Sequence, residues 1–290
     1  MAALAGFVIA WSLFAPPAAP SIRIQGEPVS AEAWKFLWLT RGLTDEASPE
    51  IRRQVEEQLI ERELIRRFLA ERKVDPPADL LDLRVFELEE LIRRRGTEPA
   101  ALYARLGLSA EGVRRELALS VAWETYIERT VTPQQLREFF ETRRAEFDGT
   151  RVRLRQIFRK ATTPAEVAAA ESLLARTREE IAAGRLTFEA AAKAHSQSPT
   201  RERGGDVGWI VGTGQLPENV ASAALRLSPG KMAGPLPSPM GMHLVEVTER
   251  QEGQLSLEDA RPQLLEQLAR TRWSETIRQL SPATKIERER

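Results

Sequence analysis

"RVRLRQIFRK" (residues 151–160) places apolar and charged residues at alternating positions. Val152, Leu154 and Phe158 fall on one side of an extended chain, and Arg151, Arg153, Arg155 and Arg159 on the other. A period of two marks a half-buried strand. Gln156 interrupts the apolar side. Its amide carries donors and an acceptor that need partners. It is therefore an accident of the pattern, a structural hydrogen-bond knot, or part of a site.

Upstream of this strand, from about 49 to 147, the chain reads as helix. Ser48 is a candidate N-cap with Pro49 at the first helical position, and Ile51, Val55, Leu59, Ile60, Leu64, Phe68 and Leu69 form one stripe at helical spacing. "DPPAD" breaks it. A second helix is expected over about 79–95, a short third ends at Gly107, and Ser109 caps a fourth. Thr132-Pro133-Gln134-Gln135 has the form of a capping box for the last helix of the zone.

Downstream, Thr163 with Glu166 forms another capping box, opening an Ala-rich helix to Ala183. A short helix from Phe188 to Ala194, a glycine-rich turn "RGGDVGWIVGTGQLP", a helix around 217–227 and the closing strand "HLVEVTE" follow. The tail returns to helix after a Ser256/Asp259 cap, with Leu264, Leu265, Leu268 and Ile277 on its apolar stripe. An isolated helix is marginal in water, so that stripe is expected to dock on the long N-terminal helices.

The 290 residues allow about two domains. Apolar content of 42% and charged content of 29% are those of a folded chain with a substantial core. Forty-two basic residues cancel forty-two acidic ones, which gives no argument for a nucleic-acid partner. There is no cysteine and there are two histidines, His195 and His243. Disulfides, a cysteine nucleophile and zinc sites built from Cys and His are thereby excluded. EF-hand, P-loop, dinucleotide-binding and Gly-x-Ser-x-Gly patterns are lacking as well. An uncharged run from Ala2 to Ala15 would span roughly 21 Å as a helix, short of a ~30 Å hydrocarbon core. It fits the core of a signal peptide, or a short membrane anchor.

The order Gly204-Gly205-Asp206-Val207-Gly208, Gly214-Gln215-Leu216, Leu227-Ser228-Pro229-Gly230, Gly234-Pro235 and Gly241-Met242-His243 resembles the parvulin family of peptidyl-prolyl isomerases over about 151–250. The flanks are similar to the exported foldases built around such a domain, the SurA-type periplasmic chaperones and their Gram-positive lipoprotein relatives. This likeness implies an α+β fold: a parvulin-like antiparallel sheet with surrounding helices, inserted between an all-helical N-terminal segment and a C-terminal helix that completes the helical module. The implied divisions are a signal peptide or anchor at 1–20, a helical chaperone-like domain at 21–147, an isomerase domain at 148–252 and the C-terminal helix at 253–290.

In parvulins an apolar proline cup adjoins a polar cluster containing two histidines. Carried over by position, the resemblance puts His243 at the second histidine, Ser238 at the neighbouring hydroxyl, Gln156 in place of the first histidine, and Ser198 at the Cys or Asp position. Leu216, Val220 and Met240 fall at the cup positions, with Val207 lining the same region. Gln156 can hold a hydrogen bond but cannot titrate or exchange tautomers, so weak isomerase activity is expected. No metal and no cofactor are implied. The expected partners are unfolded or proline-containing client polypeptides, with no nucleic acid and a membrane tether only through residues 2–15. The alternative function is a non-catalytic periplasmic holdase whose parvulin unit is a peptide-binding scaffold.

Overall fold

The structure is a computed structural model that describes residues 17–289 except 42, 44–46, 213 and 215. The apolar run at 2–15 and Gln215 thus lie outside the described residues. The chain divides into two compact units, one made of the residues up to Thr132 with those from Leu265 onward, the other of Pro133–Leu264.

The first unit begins with two short strands, β1 (Ser21–Ile24) and β2 (Glu27–Pro28), and continues through α1 (Ala31–Thr40), α2 (Pro49–Glu71), α3 (Ala78–Arg94), α4 (Pro99–Leu106) and α5 (Ala110–Thr130). Local chemistry sets the helix ends. The Ser48 hydroxyl accepts from the Ile51 amide and the Ser109 hydroxyl from the Gly112 amide, while Gly107 stops α4 in the left-handed region. The tryptophans and apolar residues of "AWKFLW" in α1 are core: Trp34, Phe36, Leu37 and Trp38 are all buried. Helices α2 and α5 are also joined through a buried carboxylate. Glu116 accepts from Arg62 at 2.9 Å and from Arg66 at 2.7 Å, so its charge is matched by guanidinium hydrogen bonds.

The second unit contains α6 (Pro133–Thr142), α7 (Arg144–Phe147), β3 (Arg151–Lys160), α8 (Pro164–Ala182), α9 (Phe188–His195), β4 (Asp206–Ile210), α10 (Glu218–Leu225), β5 (Met232–Ser238) and β6 (Gly241–Gln251). Its four strands form an antiparallel sheet in the order β4-β3-β6-β5. The pleat puts Val152 and Leu154 of β3 on one face with Val245 and Val247 of β6, where Val220, Ala221, Ala224 and Leu225 of α10 cover them. Helices α6 and α7 belong with this sheet: Ala145 packs on that same core, and Glu146 accepts a 2.7 Å hydrogen bond from the Ser222 hydroxyl of α10.

The other face of β3 is not uniformly solvated, as its arginines suggest. Ile157 is fully buried there with Met242 and Leu244 under α8 and α9. Arg153 and Arg155 lie outside that cover and pair with Asp206, Glu249 and Glu189.

The chain then returns to the first unit through α11 (Leu257–Leu280) and β7 (Ile286–Glu289). Leu265, Ala269, Trp273, Ile277 and Leu280 pack on Ile65, Phe68, Leu69, Leu119, Trp123 and Ile127 of α2 and α5. The Trp123 indole donates to the Ala269 carbonyl at 3.1 Å and meets the Trp273 ring edge-on. Strand β7 pairs antiparallel with β1 in a small β2-β1-β7 sheet, an addition to the helices expected there.

Close packing against β3 requires glycine at position 205. Gly205 has φ +84°, and a Cβ there would lie 2.5 Å from the Gln156 carbonyl oxygen and 3.2 Å from the Ala192 methyl. Gly184 has φ +69° with open space around it. Gly184→Ala is expected to cost about 1 kcal/mol from backbone conformation alone, and Gly205→Ala more than about 3 kcal/mol. Urea denaturation of both variants checks this; equal midpoints contradict it.

Candidate functional site

His243 stands on β6 directly across from Phe158 on β3 and from Leu236 on β5. Its side chain faces the apolar side of the sheet and the residue is 3% exposed. A buried imidazole must have both ring nitrogens satisfied, and here both are. Nδ1 lies 3.3 Å from Oε1 of Gln156, and Nε2 lies 2.9 Å from the Ser238 hydroxyl. The Gln156 amide nitrogen donates onward to the Ser198 hydroxyl at 3.3 Å, which lies 3.0 Å from that of Thr200.

In one arrangement Nδ1 carries the proton and donates to Gln156 Oε1, while Nε2 accepts from the Ser238 hydroxyl. Reversing every donor, with the amide turned over, gives a second complete arrangement in which Ser238 donates instead to the Gly241 carbonyl, 3.1 Å away. In both the imidazole is neutral. Among the described residues no charged partner touches the ring, and burial pushes its pKa down to about 4. The Phe158 ring lies over it with centroids 4.8 Å apart.

Of the residues expected from sequence, His243, Gln156, Ser198 and Ser238 are thus brought into one hydrogen-bonded chain. Ser198 also shapes its own turn, accepting from the Thr200 amide at 3.3 Å. Val207 and Leu216 are half-buried and pack against the core under α10. Val220 belongs to that core and has no exposed surface, so it supports the wall of a groove and is not open to a ligand. Met240 lies on the turn between β5 and β6 and is 57% exposed.

This turn has two sides. Ser238 at its base holds the imidazole and accepts from the Met240 amide at 3.2 Å. Pro239 and Met240 face outward and, with Leu216 and Pro217, form the apolar wall of a groove of about 750 Å³. Sequence reasoning missed Phe158 and Thr200 as parts of the cluster. Phe158 shares the pleat side of Gln156, and Thr200 follows Ser198 by two in a hydroxyl-rich turn, so both signals were available.

Residues 155–249 match the profile of the rotamase family, the PPIC-type PPIase domain. The chain carries a parvulin-type PPIase domain. A chaperone SurA from Alkalilimnicola ehrlichii is 34% identical over 146 residues, which cover 48% of this chain and 33% of that relative. A chaperone SurA from Nitrosospira multiformis is 40% identical over 89 residues, covering 31% of this chain and 20% of the relative. The chain therefore spans about a third or less of the length of these curated relatives. The crystal structure of the peptidylprolyl isomerase PrsA from Bacillus anthracis shares the fold, with a TM-score of 0.50 and 17% identity over 77% of this chain and 96% of that one.

The low imidazole pKa carries a stability consequence for the PPIase domain. An unfolded histidine binds its proton near pH 6.5 and the folded one near pH 4, so between these values the unfolded state holds more protons. Stability from this group is complete above about pH 6.5 and is lost as pH falls toward 4. Relative to His243→Gln, the parent is expected to lose about 2 kcal/mol more between about pH 7.5 and pH 5. Chemical denaturation of both proteins at the two pH values checks this; identical pH slopes contradict it.

Proposed function

We propose that the protein is an exported foldase that binds unfolded or proline-containing polypeptide and catalyses X-Pro cis-trans isomerisation weakly. The observation carrying this reading is the neutral imidazole of His243, held by Gln156 and Ser238 beneath a turn whose outer side walls an apolar groove. The uncharged run at 2–15 supports export.

The reaction asks little of the protein. Rotation about the peptide bond faces ~18–20 kcal/mol, and a thousandfold acceleration removes only about 4 kcal/mol of it. The twisted amide loses resonance and polarity, so an apolar wall around the pyrrolidine ring favours it over the planar form. A fixed, uncharged hydrogen-bond network holds that wall in place without offering a charge that would stabilise the planar dipole. His243 and Gln156 are positioning residues in this account. Gln156 preserves the network, but a glutamine amide cannot follow charge changes in the client as an imidazole could.

The cis-to-trans relaxation of a short proline peptide tests the enzyme reading. Wild type is expected to exceed the uncatalysed rate, with kcat/KM about tenfold lower in His243→Ala. A wild-type rate equal to the uncatalysed one removes catalysis from the proposal.

A second reading, a holdase that shields clients without catalysis, is favoured by a separate feature. Leu80, Leu83 and Phe86 lie along the outer side of α3 at 46, 52 and 58% exposure, and exposed apolar clusters of this kind mark interaction surfaces. The intact protein is expected to suppress aggregation of an unfolded client. The double variant Leu83→Asp, Phe86→Asp is expected to need several times the concentration for the same effect. Equal suppression by both proteins contradicts a role for α3.

A further inference from the structure

The groove beside the candidate site has a chemical bias that the parvulin reading does not contain. Its wall of Leu216, Pro217, Pro239 and Met240 is apolar, but it is also lined by Arg143, Glu218, Asn219, Ser222 and Arg226. Most of these polar groups are already committed. Arg143 pairs with Glu146 and with Glu218. Asn219 donates its amide to the Pro237 carbonyl at 2.5 Å, and Ser222 donates its hydroxyl to Glu146.

Arg226 differs. It is exposed at the C-terminal end of α10, and its guanidinium makes no hydrogen bond or ion pair among the described residues. The lining therefore holds two guanidiniums against one carboxylate, and the second guanidinium is free. A guanidinium presents a planar fork of donors that matches a carboxylate.

We propose that this groove selects client segments in which an acidic side chain flanks the proline, and that Arg226 reads the carboxylate. The apolar wall takes the pyrrolidine ring and neighbouring apolar groups, and the free cation takes the charge. Continuity with the candidate site comes from the turn Ser238–Gly241, whose base holds His243 and whose crest, Pro239 and Met240, lines the groove. A segment lying in the groove thus presses on the element that positions the imidazole. The inference rests on the reading of the protein as a proline-peptide-binding foldase.

The test uses the full chain and fluorescent proline peptides that are identical except for Glu, Gln or Lys beside the proline, each with an amidated C-terminus. One further Gln peptide ends in a free carboxylate. Anisotropy gives affinity, and cis-to-trans relaxation gives kcat/KM where catalysis occurs. For wild type, the Glu peptide is expected to exceed the Gln peptide by about three- to fivefold, the worth of one exposed charge pair. High salt should erase the difference. Arg226→Gln should abolish it, and Arg226→Glu should shift preference to the Lys peptide.

Binding of all peptides with a Glu-to-Gln ratio of one, or a ratio unchanged in Arg226→Gln, overturns the inference and leaves the foldase reading standing. Preference for the free carboxylate without preference for internal Glu assigns the groove to chain ends and also overturns it. Absence of binding and turnover for every peptide defeats both readings together. Affinity without turnover keeps the inference and removes only catalysis.

Discussion

An imidazole can sit almost dry in the centre of a sheet only if both of its nitrogens are matched, and everything near the candidate site follows from how His243 meets that condition. Leaving one buried polar atom unmatched costs about 1–3 kcal/mol. The two matches come from different places. Gln156 reaches across from the neighbouring strand β3, and Ser238 from the turn entering β6. The hydrogen bonds therefore tie three strands at one point and fix the register that sets Phe158 opposite His243.

That register decides what surrounds the site. With Leu154 opposite Val247 and Gln156 opposite Val245, the apolar part of the face lies under α10, and the polar cluster lies beyond it toward the Ser238–Gly241 turn. Ile157 points the other way, into the core beneath α8 and α9. The sheet is consequently anchored on both faces near the imidazole, and the turn carrying Pro239 and Met240 is exposed on a rigid base. A reaction limited by rotation about one bond needs such a shaped apolar wall and little else.

Features governed by near neighbours were legible in the chain. Ser48, Ser109, Thr163 and Ser256 each bond the backbone amide three residues on, the geometry their spacing announced. The apolar stripe of α2 and the docking of the C-terminal helix on α2 and α5 follow from helical periodicity in the same way. Of the residues that gather round His243, Gln156, Ser198 and Ser238 were reachable by position from the parvulin likeness, whereas Phe158 and Thr200 were not.

Features governed by distant partners were less visible. The β1–β7 pairing joins Ser21 to Glu289, and neither strand shows an alternation long enough to declare itself. Strand β5, "MAGPLPS", contains two prolines and reads as a loop; it is tolerated because it lies at the edge of the sheet. Ile157 is flanked by arginines and glutamine, so its burial depends on α8 and α9 folding over it. Val220 has the chemistry of a cup residue, but the packing of α10 on the sheet takes it fully into the core.

The account turns on His243 being buried, uncharged and doubly hydrogen-bonded, and an NMR titration of its ring nitrogens measures this directly. With His195→Gln used to assign the two histidines, the His243 resonances should keep the values of a neutral imidazole to about pH 5, with a midpoint near pH 4. A midpoint near the ordinary value of about 6.5 would mean a solvated, titrating ring and would contradict it.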